Sequence, residues 1–237
     1  MALPRINETL NFTMNIPSTG QKVKYRPYLV KEEKVLLQAF ESKDPKTCLE
    51  AMCDTITACL DPSEKIVVQE LATFDIEYLF TQLRSKSVGE MSTIYIRCKE
   101  CEQSNEYHIN LEELEIPVER EKNIIKITDS ISVEMRYPTF NSMVEGDVDG
   151  ARNDVSAAID LVAKSVTAVI TAEERIDTSD LAQQEVVEFL NSMTATQIKN
   201  ITDFLQESPA LKHTAEFDCI KCATNNVLEL KGLSDFF

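Results

Sequence analysis

A chain of 237 residues with 43% hydrophobic and 27% charged side chains can bury a sizeable core, which excludes a disordered protein even at a formal net charge of −16. The 40 acidic against 24 basic side chains give the wrong sign for a nonspecific nucleic-acid binder, because phosphate contacts need clustered Lys and Arg. No apolar run approaches the roughly 18 residues of a membrane span, and Met1 to Arg5 leads into polar and acidic residues, so the expectation is a protein without signal peptide or membrane contact that stays in a cytoplasm.

At the N-terminus Leu10 to Met14 alternates, Pro17-Ser18-Thr19-Gly20 is a turn, and Lys22 to Arg26 alternates again, which predicts a β-hairpin. Lys22, Lys24, Arg26, Lys31 and Lys34 make this the one basic stretch, read as a solvated face. A helix follows from about Lys31, with Val35, Leu36, Ala39 and Phe40 on one side. Asp44-Pro45 is an N-cap followed by Pro at the first helical position, and it opens a helix carrying Cys48, Cys53 and Cys59 that Asp61-Pro62 closes. Those three cysteines lie among Leu49, Met52, Ile56 and Leu60 and read as small buried hydrophobes. From Phe74 to Arg84, Ile76, Leu79, Phe80 and Leu83 recur at helical spacing and predict a core helix, which Gly89 ends.

Next comes a strand, a knuckle and a strand: Ser92 to Ile96, then Cys98-Lys99-Glu100-Cys101, then Tyr107 to Leu111. Asn123 to Tyr137 alternates in two runs around Thr128-Asp129-Ser130, a second hairpin, and Gly146 to Gly150 is an acidic break. Val155, Ala158, Ile159, Val162, Val166, Val169 and Ile170 mark a helix over 153–170, Gln184 to Asn191 a shorter one, and Thr194-Ala195-Thr196-Gln197 is a capping box before a third that Pro209 stops. Cys219-Ile220-Lys221-Cys222 then repeats the knuckle context between Ala215-Glu216-Phe217 and Asn226 to Leu230. No other repeat and no low-complexity tract is apparent.

Two C-x-x-C hairpins are the parts of a zinc ribbon. The spacing lets both sulfurs of a pair converge on one ion while the tight turn aims backbone N–H groups at the thiolates. Cys98, Cys101, Cys219 and Cys222 together close a tetrahedron, so the expected Zn2+ is structural, one per chain, with no position left for water or substrate. A redox pair would open a helix in a βαβ unit, and neither knuckle does. His108 and His213 lie nearby but are not needed as ligands. Because 118 positions separate Cys101 from Cys219, the ribbon is split. Loop-closure cost grows only logarithmically with length, whereas structural zinc in peptides is worth about 10–16 kcal/mol.

The expected fold class is therefore α+β. An N-terminal hairpin and helices span residues 1–90, the first knuckle and a hairpin 91–150, a small helical insert 151–210, and the second knuckle and tail 211–237. Catalysis finds no foothold: only 5 Gly are present and none cradles a phosphate, no nucleophile elbow occurs, and the acidic run Glu112, Glu113, Glu115, Glu119, Glu121 reads as a solvated face. A binding or structural protein is expected, not an enzyme.

Two segments, Thr19 to Lys34 (TGQKVKYRPYLVKEEK) and Phe74 to Glu90 (FDIEYLFTQLRSKSVGE), with the two knuckles and the ending Leu233-Ser234-Asp235-Phe236-Phe237, resemble the baseplate hub assembly protein family of T4-like contractile-tailed phages. That resemblance implies a non-enzymatic role in building the central hub of the baseplate. It further implies other tail and hub proteins as partners, no nucleic acid and no membrane, and a location in the host cytoplasm during assembly or in the virion tail, as hub subunit or assembly chaperone; self-association stays open. The alternative, a zinc-ribbon regulator acting on nucleic acid, expects basic or aromatic ribbon strands, whereas Glu102, Glu106, Glu216 and Asp218 crowd these knuckles. Phe236-Phe237 either docks onto the chain's own core or onto a neighbour.

Overall fold

The N-terminal alternation becomes an antiparallel hairpin of β1 (Phe12–Asn15) and β2 (Lys22–Tyr25), with Phe12 opposite Tyr25 and Asn15 opposite Lys22. The protein is described here from a computed structural model covering residues 11–118, 123–145 and 155–236. The acidic break at 146–150 and the last residue, Phe237, lie outside the described residues. Met14, Val23 and Tyr25 point inward while Lys22 and Lys24 are exposed, the period-2 division that one buried face imposes. Gly20 turns the chain at φ 70°, a left-handed value that favours glycine.

The chain forms two compact units. The first comprises residues 1–68, 74–117 and 209–237. Its helices are α1 (Val30–Ser42), α2 (Pro45–Cys59) and α3 (Thr73–Ser87). Asp44 caps α2 by accepting from the Thr47 amide at 2.9 Å, with Pro45 at the first position as expected. In α3 the predicted stripe of Phe74, Ile76, Leu79, Phe80 and Leu83 is buried. Asp75 beside it is fully buried and accepts from the Ser18 amide (2.9 Å) and hydroxyl (2.6 Å), fastening the N-terminal turn to this helix.

The inward face of α1 differs from the expected one. Glu32, Leu36 and Ala39 are buried, whereas Val35 and Phe40 are exposed, although the Phe40 ring still meets Phe80 edge-on at 6.2 Å. The reason is polar. Arg26 donates to Glu32 Oε1 at 2.8 Å, and the Leu29 amide donates to Glu32 Oε2 at 2.9 Å. A paired carboxylate that also caps the helix start can be buried, and it turns the helix about its axis away from the purely apolar stripe.

The second unit comprises residues 69–73 and 118–208. An antiparallel sheet of order β5-β6-β7-β8 is made from β5 (Ile124–Lys126), β6 (Ile131–Met135), β7 (Val166–Thr171) and β8 (Arg175–Asp177). The unit also holds α4 (Phe140–Glu145), α5 (Val155–Ser165), α6 (Gln183–Asn191) and α7 (Ala195–Gln206). Val133, Met135, Val162, Val166, Leu190 and Ile201 build its core, and Tyr137 stacks on Phe204 with centroids 4.8 Å apart. The Thr194 capping box is present, its amide donating to Gln197 Oε1 at 2.8 Å.

Here the expected helix over 153–170 is corrected. It stops at Ser165, and the β-branched run Val166-Thr167-Ala168-Val169-Ile170-Thr171 becomes a central strand between β6 and β8. Short apolar windows fit either period, and the availability of two strand neighbours decides for the sheet. The helices of 151–210 consequently share a sheet and a core with the hairpin around Thr128 to Ser130, so the purely helical character expected of that insert does not hold.

Against the burial that opposes it, hydrogen bonds from Arg26, the Leu29 amide and Lys31 hold the Glu32 carboxyl below its ordinary value. A lowered folded value means the stabilisation is present at neutral pH and disappears as pH falls through it. Glu32→Gln should cost about 1–3 kcal/mol at pH 7 by urea denaturation, and the gap to wild type should narrow below the usual carboxylate range. A gap that stays constant into strong acid would contradict the charged clamp.

Candidate metal centre

Two hairpins, each of two seven-residue strands, build the centre, both within the first unit. Strands β3 (Met91–Arg97) and β4 (Ser104–Asn110) flank the first cysteine pair, β9 (Lys212–Asp218) and β10 (Asn225–Lys231) the second. Alternate residues, Ser92 and Ile96 in β3 and Ala215 in β9, are buried, so one face of each hairpin turns inward. Between those faces Tyr107 lies against Phe217 and His213, with centroids 6.2 and 6.0 Å away.

The hairpins repeat one another position by position, from Met91 with Lys212 to Asn110 with Lys231. In each knuckle the first cysteine's amide donates to the carbonyl five residues on, Gln103 or Thr224, at 2.9 Å. Glu102 and Ala223 take the same left-handed turn at φ 57° and 55°. A repeat is thus present that identity hides: besides the cysteines, only Thr93/Thr214 and Asn105/Asn226 match.

The predicted ligands Cys98, Cys101, Cys219 and Cys222 meet, their sulfurs all within 4.8 Å of one another. Cys98 Sγ and Cys222 Sγ are 3.6 Å apart, Cys101 Sγ and Cys219 Sγ 3.5 Å. A tetrahedron with metal–sulfur bonds of about 2.3 Å has edges of about 3.8 Å, so the donor set fits one ion. Backbone amides aim at the sulfurs, Glu100 N–H at Cys98 (3.4 Å) and Lys221 N–H at Cys219 (3.5 Å).

The electrostatics also call for a cation. The Cys222 amide, against desolvation and helped by the Lys221 amide, pulls the Cys219 thiol down to about 6, and the Cys101 and Glu100 amides lower Cys98. Although the Gln103 amide opposes it, burial and the thiols of Cys222, Cys219 and Cys98 push Cys101 up to about 12. Adjacent thiolates repel, so all four ionise together only around a positive charge. His108 and His213 are engaged elsewhere, with Thr93 Oγ1 at 3.0 Å and with the Tyr107 hydroxyl at 3.2 Å.

Asn105 and Asn226 were not singled out from sequence, although both stand four residues past the second cysteine of their pair. Asn105 Oδ1 accepts from the Ile220 amide at 2.9 Å, and Asn226 Oδ1 from the Lys99 amide at 3.0 Å. Phe236 is fully buried and its carbonyl accepts from the Ser92 hydroxyl at 2.7 Å, so Phe236 docks onto the chain's own core.

Fold and site define an α+β protein with a split, ribbon-like four-cysteine cluster able to hold a metal ion. A family model described as T4 bacteriophage base plate protein matches residues 8–237. The chain belongs to that family, which gives it a structural role in the phage baseplate. Neither a comparison with curated proteins nor one with solved structures found a match.

The remaining cysteines behave differently. Burial pushes the Cys53 thiol up to about 12 and Cys59 to about 11, and raises Cys48 as well. Because the thiolate is the nucleophile, iodoacetamide at about pH 8 should leave Cys53 and Cys59 of the folded protein unmodified while an unfolded control is fully labelled. Peptide mass spectrometry showing either residue alkylated at the unfolded rate would contradict their burial.

Proposed function

We propose that the protein serves the central hub of a contractile-tail baseplate, as hub subunit or assembly factor, without enzymatic activity and through contacts with other tail proteins. The observation that carries this reading is the family match over nearly the whole chain. The four-cysteine cluster supports it, since a closed set of four thiolates suits a structural Zn2+, one per chain, rather than a catalytic one that keeps an open position. Cys98, Cys101, Cys219 and Cys222 would be its ligands, and the ion would supply the positive charge that lets all four ionise. The exposed acidic side chains Glu102, Glu106, Glu216 and Asp218 around the knuckles favour protein partners over nucleic acid. On this reading the protein acts in the host cytoplasm while the baseplate is built, before or as it enters the tail.

Deleting the gene in the phage tests this. Electron microscopy of infected-cell lysates should show baseplates lacking a complete hub, restored by the gene in trans; complete baseplates would overturn the proposal. Mass spectrometry of purified virions then separates the two roles, a fixed copy number meaning subunit and absence meaning assembly factor.

A further inference from the structure

Each hairpin lends one buried side chain to the other's knuckle. Asn105 and Asn226 are both 2% exposed. The Asn105 amide nitrogen donates to the Gln103 carbonyl of its own knuckle at 2.7 Å while its oxygen takes the Ile220 N–H across the interface. Asn226 does the mirror image, donating to the Thr224 carbonyl at 2.8 Å and taking the Lys99 N–H. Lys99 and Ile220 directly follow Cys98 and Cys219, so holding their amides fixes the backbone from which those two sulfurs project. Only a side chain with donor and acceptor on one short planar group can span from its own turn to the opposite one. Aspartate would lose the donor and set a negative charge beside the thiolates.

We infer that Asn105 and Asn226 are positioning residues for the metal, struts that lock the two cysteine pairs in mutual register and so set how long an ion stays between them. The inference rests on the structural-zinc reading above. Cross-hairpin hydrogen bonds of this kind do for the ligands what outer-shell partners do in metal sites generally, where their loss costs about 10–100-fold in affinity. The two struts are not equal. The Asn226 amide nitrogen also approaches Cys98 Sγ at 3.6 Å, so Asn226 steadies a sulfur as well as a turn.

The test uses the full chain purified with its metal, in four forms: wild type, Asn105→Ala, Asn226→Ala, and Tyr107→Phe as a control that loses only the hydroxyl contact to His213 in the same interface. Zinc content is read by elemental analysis and zinc release by a colorimetric chelator in excess. Each asparagine variant should still carry one zinc per chain but release it about 10–100-fold faster, Asn226→Ala more than Asn105→Ala, while Tyr107→Phe releases at the wild-type rate whatever happens to its melting temperature. Should Asn226→Ala fail to fold, Asn105→Ala against Tyr107→Phe decides. Asparagine variants that release no faster than wild type, or no faster than Tyr107→Phe, would overturn the strut role and leave the zinc reading standing. A wild type that holds no metal overturns both.

Discussion

Four sulfurs from two segments 118 positions apart converge to within 4.8 Å, and the rest of the first unit is arranged so that they can. Gathering that many thiols is unfavourable for a bare protein, since neighbouring thiolates repel and burial penalises each charge. The pull of backbone amides on Cys98 and Cys219 and the upward push on Cys101 record that conflict. A divalent ion bound there would resolve it, and in doing so would fasten the hairpin of β9 and β10 to that of β3 and β4. Between those two hairpins in sequence lies nearly all of the second unit, which has its own sheet and its own core of Val133, Met135, Leu190 and Ile201. A long insertion is tolerable at such a place because the closure entropy of a loop rises slowly with its length.

The residues that announced this centre in the sequence did so because metal chemistry restricts spacing. Two C-x-x-C pairs, each between alternating β-branched and aromatic runs, have few other readings, and all four cysteines come together. The core stripe of α3 was equally legible, since Phe74 to Leu83 has no competing period. Legibility failed where a neighbour far along the chain decides. Val166 to Thr171 satisfies a helical stripe as well as a strand, and only β6 and β8 make it a strand. The inward turn of α1 depends on Arg26 reaching Glu32 across six positions, a polar pairing that hydrophobic periodicity does not see. Asn105 and Asn226 left a trace in their shared distance from the cysteines, but their meaning appears only once the two knuckles face each other.

Membership in the T4 base plate family and a centre made of four converging thiols, two of them buried, are compatible with one structural protein. Among the described residues, the four-cysteine cluster is the one candidate metal site. The charge follows suit, because acidic side chains crowd the outside of the knuckles while the basic residues Lys22 and Lys24 stand exposed on β2. Complementary charge of this kind steers association between proteins and suppresses wrong partners.

The central claim, that an ion between the knuckles holds two distant hairpins together, is tested most directly by hydrogen exchange with mass spectrometry before and after complete metal removal. Peptides covering 91–110 and 212–231 should lose protection together on stripping and regain it together on adding zinc, while peptides covering 131–135 and 166–171 in the second unit keep theirs. If both hairpins stay fully protected in the metal-free protein, the ion is not what joins them.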